Sequence, residues 1–432
     1  VKIRAFHAKD GDCLLIRGDD DTVILADGGR SAAFTETIAS RLTPAKLGTD
    51  IDLVYVSHID NDHLSGILEL VKTKVAWEVH DFHGGDWPRP KLPRPAAVQQ
   101  IWHNGFAELV DDRDGTIERA LDLATRTLSL NEPAYELFER YENLTTGVKD
   151  TLELNYRLRF GGMESILNQP SAREDGLLLL SSANERHTVG EFEVRILGPT
   201  VKELEALRVF WNEWLERNNL DVPAIREAAE EESRALGTSE EQALLSLLLR
   251  QAEGLGEGSE GVTEPNVASL TLLVEEGSRK VLLTGDARSE ELLAGLRQHG
   301  LVTDDSGLHV DVLKVQHHGA AGNVTEEFAK LVTADHYIFC ANGSHSNPEK
   351  AVLKGLLDFR IGERASENLS PGRDRPFTFW FTTKSDTPGI TSGQKTFLKS
   401  VESYLSEEWD DEPGFTRKYP KSSDPFSIEI EI

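Results

Sequence analysis

Cysteine is nearly absent. Cys13 and Cys340 are the only two in 432 residues, too few for a disulfide framework, so a reducing cytoplasm is the expected location. Long apolar runs are missing too. No stretch approaches the roughly 20 residues that a membrane-spanning helix needs, so no membrane partner is expected. The opening Val1-Lys2-Ile3-Arg4 reads as a strand and not as a secretory leader. Positive charge is scarce: 46 Lys and Arg face 74 Asp and Glu, a net charge of -28. Such a chain repels polyanions at long range, and no basic face of the kind that tracks long nucleic acid stands out. What remains, 39% hydrophobic and 28% charged, is the composition of a globular protein with room for one large domain or two ordinary ones.

Against that background one run stands out, Ser57-His58-Ile59-Asp60-Asn61-Asp62-His63. A hydrophobic strand, Ile51 to Val56, leads into it, and Leu64-Ser65-Gly66 leaves it at the start of a helix. Two imidazoles and two carboxylates crowded at a strand end repel one another and resist burial, and a divalent cation removes both objections. Mixed nitrogen and oxygen donors suit Zn, Mn or Fe, and the lack of thiolate argues against a purely structural zinc site.

Around the motif, short strands and helices alternate, which predicts an α/β protein. Strands are expected at Ile3–His7, Cys13–Ile16 and Val23–Ala26, the last ending at Asp27-Gly28-Gly29, and a helix over Ala33–Leu42. Further strands are expected at Phe192–Leu197, in a hairpin Leu270–Val274 with Lys280–Leu283, and at Val310–Val315, Tyr337–Cys340 and Phe377–Thr382. Helices are predicted over Ala107–Asn131 and Glu136–Glu142, beyond a Pro-rich loop at Trp87–Pro95. Residues 202–256 read as an acidic helical block, either a cap or a partner surface, and 254–261 as a glycine-rich connection.

Three later features belong with the first motif. Thr284-Gly285-Asp286 puts a carboxylate just past a buried strand, where it can bridge two cations. Lys314-Val315-Gln316-His317-His318-Gly319 puts paired imidazoles after another apolar strand. His345 sits in the turn-rich run Asn342–Pro348 as a further candidate for the site.

Taken in order, these pieces, with His7-(x)3-Gly11-Asp12-Cys13, Leu197-Gly198-Pro199 and Asn266–Leu270, resemble a metallo-β-lactamase-fold hydrolase. Within that superfamily the chain is most similar to the domain appended to ComEC-type DNA-uptake channel proteins. The resemblance implies an αββα sandwich: two mixed β-sheets flanked by helices, with helical insertions and a metal site at one edge. The implied domain covers 1–400, with insertions at about 85–190 and 202–262, and 401–432 is a C-terminal extension. By the same resemblance His58, Asp60, Asp62 and His63 form the first ligand cluster, Asp286 bridges, and His317 (or His318) completes a second metal. Asp27 would orient the first cluster from behind. Asp60 stands where most members carry His, as in the ComEC-like branch. Asn266 falls about where most members place another ligand His, which makes the site richer in oxygen, and His103 is a candidate to supply the missing imidazole.

The expected activity is therefore metal-dependent hydrolysis, with one or two Zn or Mn ions lowering the pKa of a water. Asp62 is the expected proton acceptor, with His318 or His345 donating to a phosphoryl oxygen or leaving group. The expected substrate is a phosphodiester, either a small ester or a single-stranded nucleic acid. Two rivals stand beside this reading: a lactam, lactone or thioester hydrolase of the same fold, and a non-catalytic, metal-stabilised protein that binds a partner through 202–256.

Overall fold

A computed structural model describes residues 1–84, 87–105, 163–169, 179–206, 268–410 and 412–432, with scattered positions 150, 153–154, 157–158 and 209. The helices expected over 107–131 and 136–142, most of the acidic block 202–256, the glycine-rich connection and Asn266 lie outside the described residues.

The described residues form two mixed sheets and several helices. The first sheet runs β14-β1-β2-β3-β4-β5. Its strands are β1 (Lys2–Phe6), β2 (Leu14–Arg17), β3 (Val23–Ala26), β4 (Leu53–Tyr55), β5 (Ile101–Trp102) and β14 (Ser427–Glu431). β3, β4 and β5 are mutually parallel, and the remaining pairs are antiparallel. The second sheet comprises β6 (His187–Val189), β7 (Phe192–Gly198), β8 (Thr271–Glu276), β9 (Arg279–Leu283), β10 (Leu308–Lys314), β11 (Val332–Phe339), β12 (Phe377–Phe381) and β13 (Phe415–Lys418). They lie in reverse order across the sheet. β9 to β13 are parallel, while β6 to β9 form an antiparallel meander.

Period-two alternation places the core in three layers. Ile3, Ile16, Ile24 and Tyr55 of the first sheet meet Leu272, Val312 and Ile338 of the second in one buried cluster between the sheets. On the outer face of the first sheet, Leu25 and Val54 pack on Leu64, Ile67 and Val71 of the helix Asn61–Phe82. On the outer face of the second, Leu273, Leu313 and Phe379 pack on Leu292, Phe328, Leu353 and Val401 of four further helices. The layering is helix, sheet, sheet, helix, an α/β sandwich.

Several elements depart from the sequence expectation. The helix expected over 33–42 is present as an α turn, Ser31–Ala33, that widens to π over Phe34–Ile38 and tightens to 3-10 over Ala39–Arg41. Phe377–Phe381, within the last strand expected from the sequence, is followed by two more. The tail read as an extension, 401–432, supplies β13 beside β12 and β14 beside β1. Its period-two apolar residues, Ile428 and Ile430, are buried between the sheets. Likewise β5 and β6 fall inside the stretch read as an insertion over 85–190, yet each is an edge strand. Among the described residues no helix is long and apolar enough to cross a membrane.

The parallel strands of both sheets end at one common edge. There the helix Asn61–Phe82 approaches the Asp27–Gly29 turn so closely that glycine is required on both sides. A Cβ on Gly66 would lie 2.0 Å from Gly28 O, and one on Gly28 would lie 2.3 Å from Ile67 N. Backbone opposes backbone at this contact, so neither side can yield by rotating a side chain. Gly66→Ala should therefore destabilise the protein by about 1–3 kcal/mol, the usual range for overpacking, despite alanine's better helix propensity. Urea denaturation checks this; unchanged stability would show that the helix is free to shift.

Candidate metal centre

Asp27 ends β3 in the left-handed region, with φ 55°. A non-glycine residue held there signals a position fixed by its surroundings. The conformation turns its carboxylate back into the protein, where Oδ1 accepts from Ser57 N at 2.7 Å and Oδ2 from Ser57 Oγ at 2.8 Å. His63 Nδ1 donates to the same Oδ2 at 2.9 Å. That bond fixes the tautomer and turns His63 Nε2 toward the cluster, the usual orientation of a metal-binding imidazole. His58 follows β4 directly, its Nδ1 3.0 Å from Ser57 Oγ.

Asp60 is the N-cap of the helix Asn61–Phe82, yet its side chain makes no capping bond. Its Oδ2 lies 3.6 Å from His58 Nε2 instead. Asp62 and His63 occupy the first helical turn, where the helix dipole favours negative charge.

Asp286 is the hub. It follows β9 through Gly285, which has φ 49°. Its Oδ1 lies 3.4 Å from His63 Nε2, and its Oδ2 lies 3.6 Å from the Nε2 atoms of both His317 and His318 and 3.9 Å from that of His58. His317 and His318 follow β10 with positive φ of 44° and 57°. Each Nδ1 is occupied: His317 donates to Asn323 Oδ1 at 2.9 Å, and His318 to the Cys340 carbonyl at 2.8 Å. His318 Nε2 also lies 3.2 Å from Asp62 Oδ2.

Two members of this site carried no role in the sequence reading. Asp12 and Lys314 are each about 1% exposed and form an ion pair. Lys314 Nζ also donates to the Gly285 carbonyl at 2.8 Å and lies 3.4 Å from Asp286 Oδ1. Asp12 Oδ1 is 3.1 Å from His318 Nδ1. The sequence signals were a Gly-Asp turn after a strand and a lone lysine closing a strand whose last residues before it, Val312 and Leu313, are apolar.

The electrostatics ask for a cation. Burial alone would lower the His318 pKa, but Asp286 and Asp12 outweigh it and push it up to about 10. His63 is likewise pushed well up, because Asp286, Asp12 and Asp62 outweigh burial. Burial would raise Asp62 and Asp286, but the imidazoles around them win and hold both low. His58 Nε2 and His63 Nε2 are buried with no hydrogen-bond partner among the described residues. Buried polar atoms rarely stay unpaired, and two imidazole nitrogens aimed at a shared carboxylate fit a metal ion.

Ligand atoms of Asp12, His63, Asp286 and His318 lie within 4.8 Å of one another and could hold a metal ion. Within that group Asp12 is committed to Lys314. Asp62, 3.2 Å from His318 and 3.7 Å from His63, is the freer carboxylate.

The structure thus gathers His58, Asp60, Asp62 and His63 with Asp286, and brings His317 and His318 to the same carboxylate. His345, with φ 52°, lines the cavity above them. His103 is not brought in: it is buried beside Asn168, and burial alone lowers its pKa to about 4, with no site carboxylate acting on it. Asn266 lies outside the described residues.

The chain is similar to ComE operon protein 3 of Bacillus subtilis (strain 168), with 28% identity over 181 residues, 41% of this chain and 22% of that protein. The match therefore spans less than a quarter of the relative's length, and it supports a ComEC-like relationship and nothing finer. No family model matches the chain.

Because His63 and His318 are held protonated through the neutral range, a metal must displace their protons to bind. Zinc uptake near pH 7 should release protons, and apparent affinity should weaken as pH falls from 8 to 6. Calorimetry in buffers of different ionisation enthalpy measures both. Uptake without proton release would place the metal away from these imidazoles.

Proposed function

We propose that this chain is a metal-dependent hydrolase of phosphodiesters, built on a metallo-β-lactamase-type fold. The observation that carries the reading is Asp286 with four imidazole nitrogens 3.4–3.9 Å from its two oxygens. A carboxylate so placed suits a bridge between two cations. His58 with Asp60 would form one donor group, and Asp62 with His63 and His318 the other. His317, about a third exposed, reaches Asp286 from the solvent side.

Charge supports two ions. With neutral imidazoles, and with Arg30 and Asp10 cancelling each other, the carboxylates of Asp12, Asp27, Asp60, Asp62 and Asp286 are set against one ammonium among the described residues, that of Lys314 beside Asp12 and Asp286. Four negative charges remain, the charge of two divalent cations. The donor set mixes imidazole nitrogen with carboxylate oxygen and holds no thiolate, which suits Zn or Mn.

Divalent ions held here supply a water that ionises near neutral pH and a Lewis acid for a phosphoryl oxygen. The residues supply the rest. Asp62 is ionised at neutral pH, since its imidazole neighbours outweigh burial. As an ionised carboxylate on the cavity lining, it is placed to accept the proton of an attacking water. His345, on the cavity wall, is the group to protonate the leaving oxygen. Asp27 keeps His63 in its tautomer throughout.

The substrate is a small phosphodiester or a short single strand. The net charge of -28 disfavours long polyanions, while the resemblance to ComEC-type proteins favours a single strand of DNA.

The test is metal content by elemental mass spectrometry, with turnover of bis-p-nitrophenyl phosphate on the same samples, for the wild type and Asp286→Ala. About two equivalents of Zn or Mn with measurable turnover are expected from a dinuclear site. In Asp286→Ala metal should fall, and turnover should fall at least 100-fold, the loss typical of a preorganised charge-stabilising group. A wild type that holds no metal after reconstitution would defeat the proposal.

A further inference from the structure

The cavity over the metal centre has a chemically mixed lining. It measures about 230 Å³ and is lined by the carboxylates of Asp60, Asp62 and Asp286, by Arg30 and by residues of the 341–347 segment. Arg30 is the only lysine or arginine among the described lining residues. Its Nε and Nη2 donate to Asp10 Oδ1 and Oδ2 at 2.9 and 2.8 Å. Nη1 has no acceptor among the described residues, so the fork is held in place by Asp10 with one arm unspent. Asp62 and Asp60 also act on this guanidinium electrostatically, which places it within the field of the metal-binding carboxylates.

Asn342 and Asn347, also in the lining, are 5% and 7% exposed. Asn342 Oδ1 accepts from Ser344 N at 2.9 Å, which leaves its Nδ2 as a free donor. The segment is pinned: Gln394 Nε2 donates to Ser344 Oγ at 2.9 Å, and Asn347 N to the Ser344 carbonyl at 2.9 Å. A guanidinium arm and an amide N–H without an internal acceptor, set beside a carboxylate floor, are matched by an anion from outside.

We infer that Arg30 and the Asn342–Asn347 wall grip the non-bridging oxygens of the substrate's phosphate, and that this phosphate alone enters the cavity. The inference rests on the phosphodiesterase reading above and gives that site its substrate selection. Sites that engulf a whole small organic ligand run to roughly 300–1,000 Å³. This one is smaller, so both ester arms stay outside and selection falls on the phosphate. Contacts of that kind position a nucleotide without reading its base.

The experiment measures KM and kcat for bis-p-nitrophenyl phosphate, the dissociation constant of orthophosphate by calorimetry, and metal content. The proteins are wild type, Arg30→Met, Arg30→Lys and Asn347→Asp, each metal-loaded. Arg30→Met should raise KM and the orthophosphate constant at least tenfold, with kcat changed less and metal content intact. Arg30→Lys, which keeps the charge and loses the fork, should fall between Met and wild type. Asn347→Asp should weaken orthophosphate as well, and it carries the test if Arg30→Met does not fold. Unchanged orthophosphate affinity in a folded, metal-loaded Arg30→Met overturns the inference. A wild type that binds metal, and orthophosphate through Arg30, but cleaves no phosphodiester would sink the functional reading while supporting the anion wall.

Discussion

Mutual repulsion among the carboxylates of Asp27, Asp60, Asp62 and Asp286 is the constraint around which this fold is arranged. Burying several like charges at one sheet edge is strongly unfavourable unless opposite charge is brought to them. The chain answers with geometry. Asp27, His317 and His318 all take left-handed backbone conformations, which store strain that the surrounding sandwich must hold. The Gly28–Gly66 contact brings the start of the long helix, with Asp62 and His63, onto the strand end that carries Asp27. Each device brings a donor atom nearer to Asp286, and each makes sense only if positive charge resides among them.

Lys314 and Asp12 solve part of the same problem by a different route. An ammonium buried with a carboxylate is weak evidence for stability, because desolvation offsets most of the attraction. Its effect here is on charge and position. Lys314 neutralises one carboxylate permanently, stands 3.4 Å from Asp286 Oδ1, and holds the Gly285 carbonyl. It therefore fixes how much negative charge is left for exchangeable cations and where the hub carboxylate sits. Removing either partner alone would strand a buried charge, a loss of about 3–5 kcal/mol. The two have to be read as one unit.

The legible parts of this molecule were those written in local sequence. The motif 57–63 could be read because an apolar strand feeds it and small residues leave it, and the hairpin of β8 and β9 because its turn lies between two apolar runs. The pairing of Asp12 with Lys314 could not be read, since nothing local distinguishes a buried lysine at a strand end from a solvated one. The edge strands were hidden for a related reason. β5 is two residues long, and β14 alternates properly but gains meaning only when it pairs with β1 across the whole chain. His103 drew attention by residue type alone, and its strand carries it to a neutral, buried place. The choice between His317 and His318 was open in the sequence and stays shared in the structure, because the two left-handed residues let both rings reach Asp286.

A net charge of -28 and a phosphodiester substrate look incompatible until distance is considered. At physiological salt the screening length is about 8 Å, so surface carboxylates beyond that range act weakly on a small ester at the cavity. A long polyanion lies across much more of the surface and meets them directly. The carboxylates within range are those of the centre, which Lys314 and bound cations would offset, and Asp10, which Arg30 offsets. Arg30, its charge met by Asp10, still offers an unspent N–H donor where a phosphate would arrive. On the proposed reading, the same charge distribution would admit a phosphate at the cavity and turn away an extended chain of them, so that substrate selection would rest on the field around the site as much as on the site's own contacts.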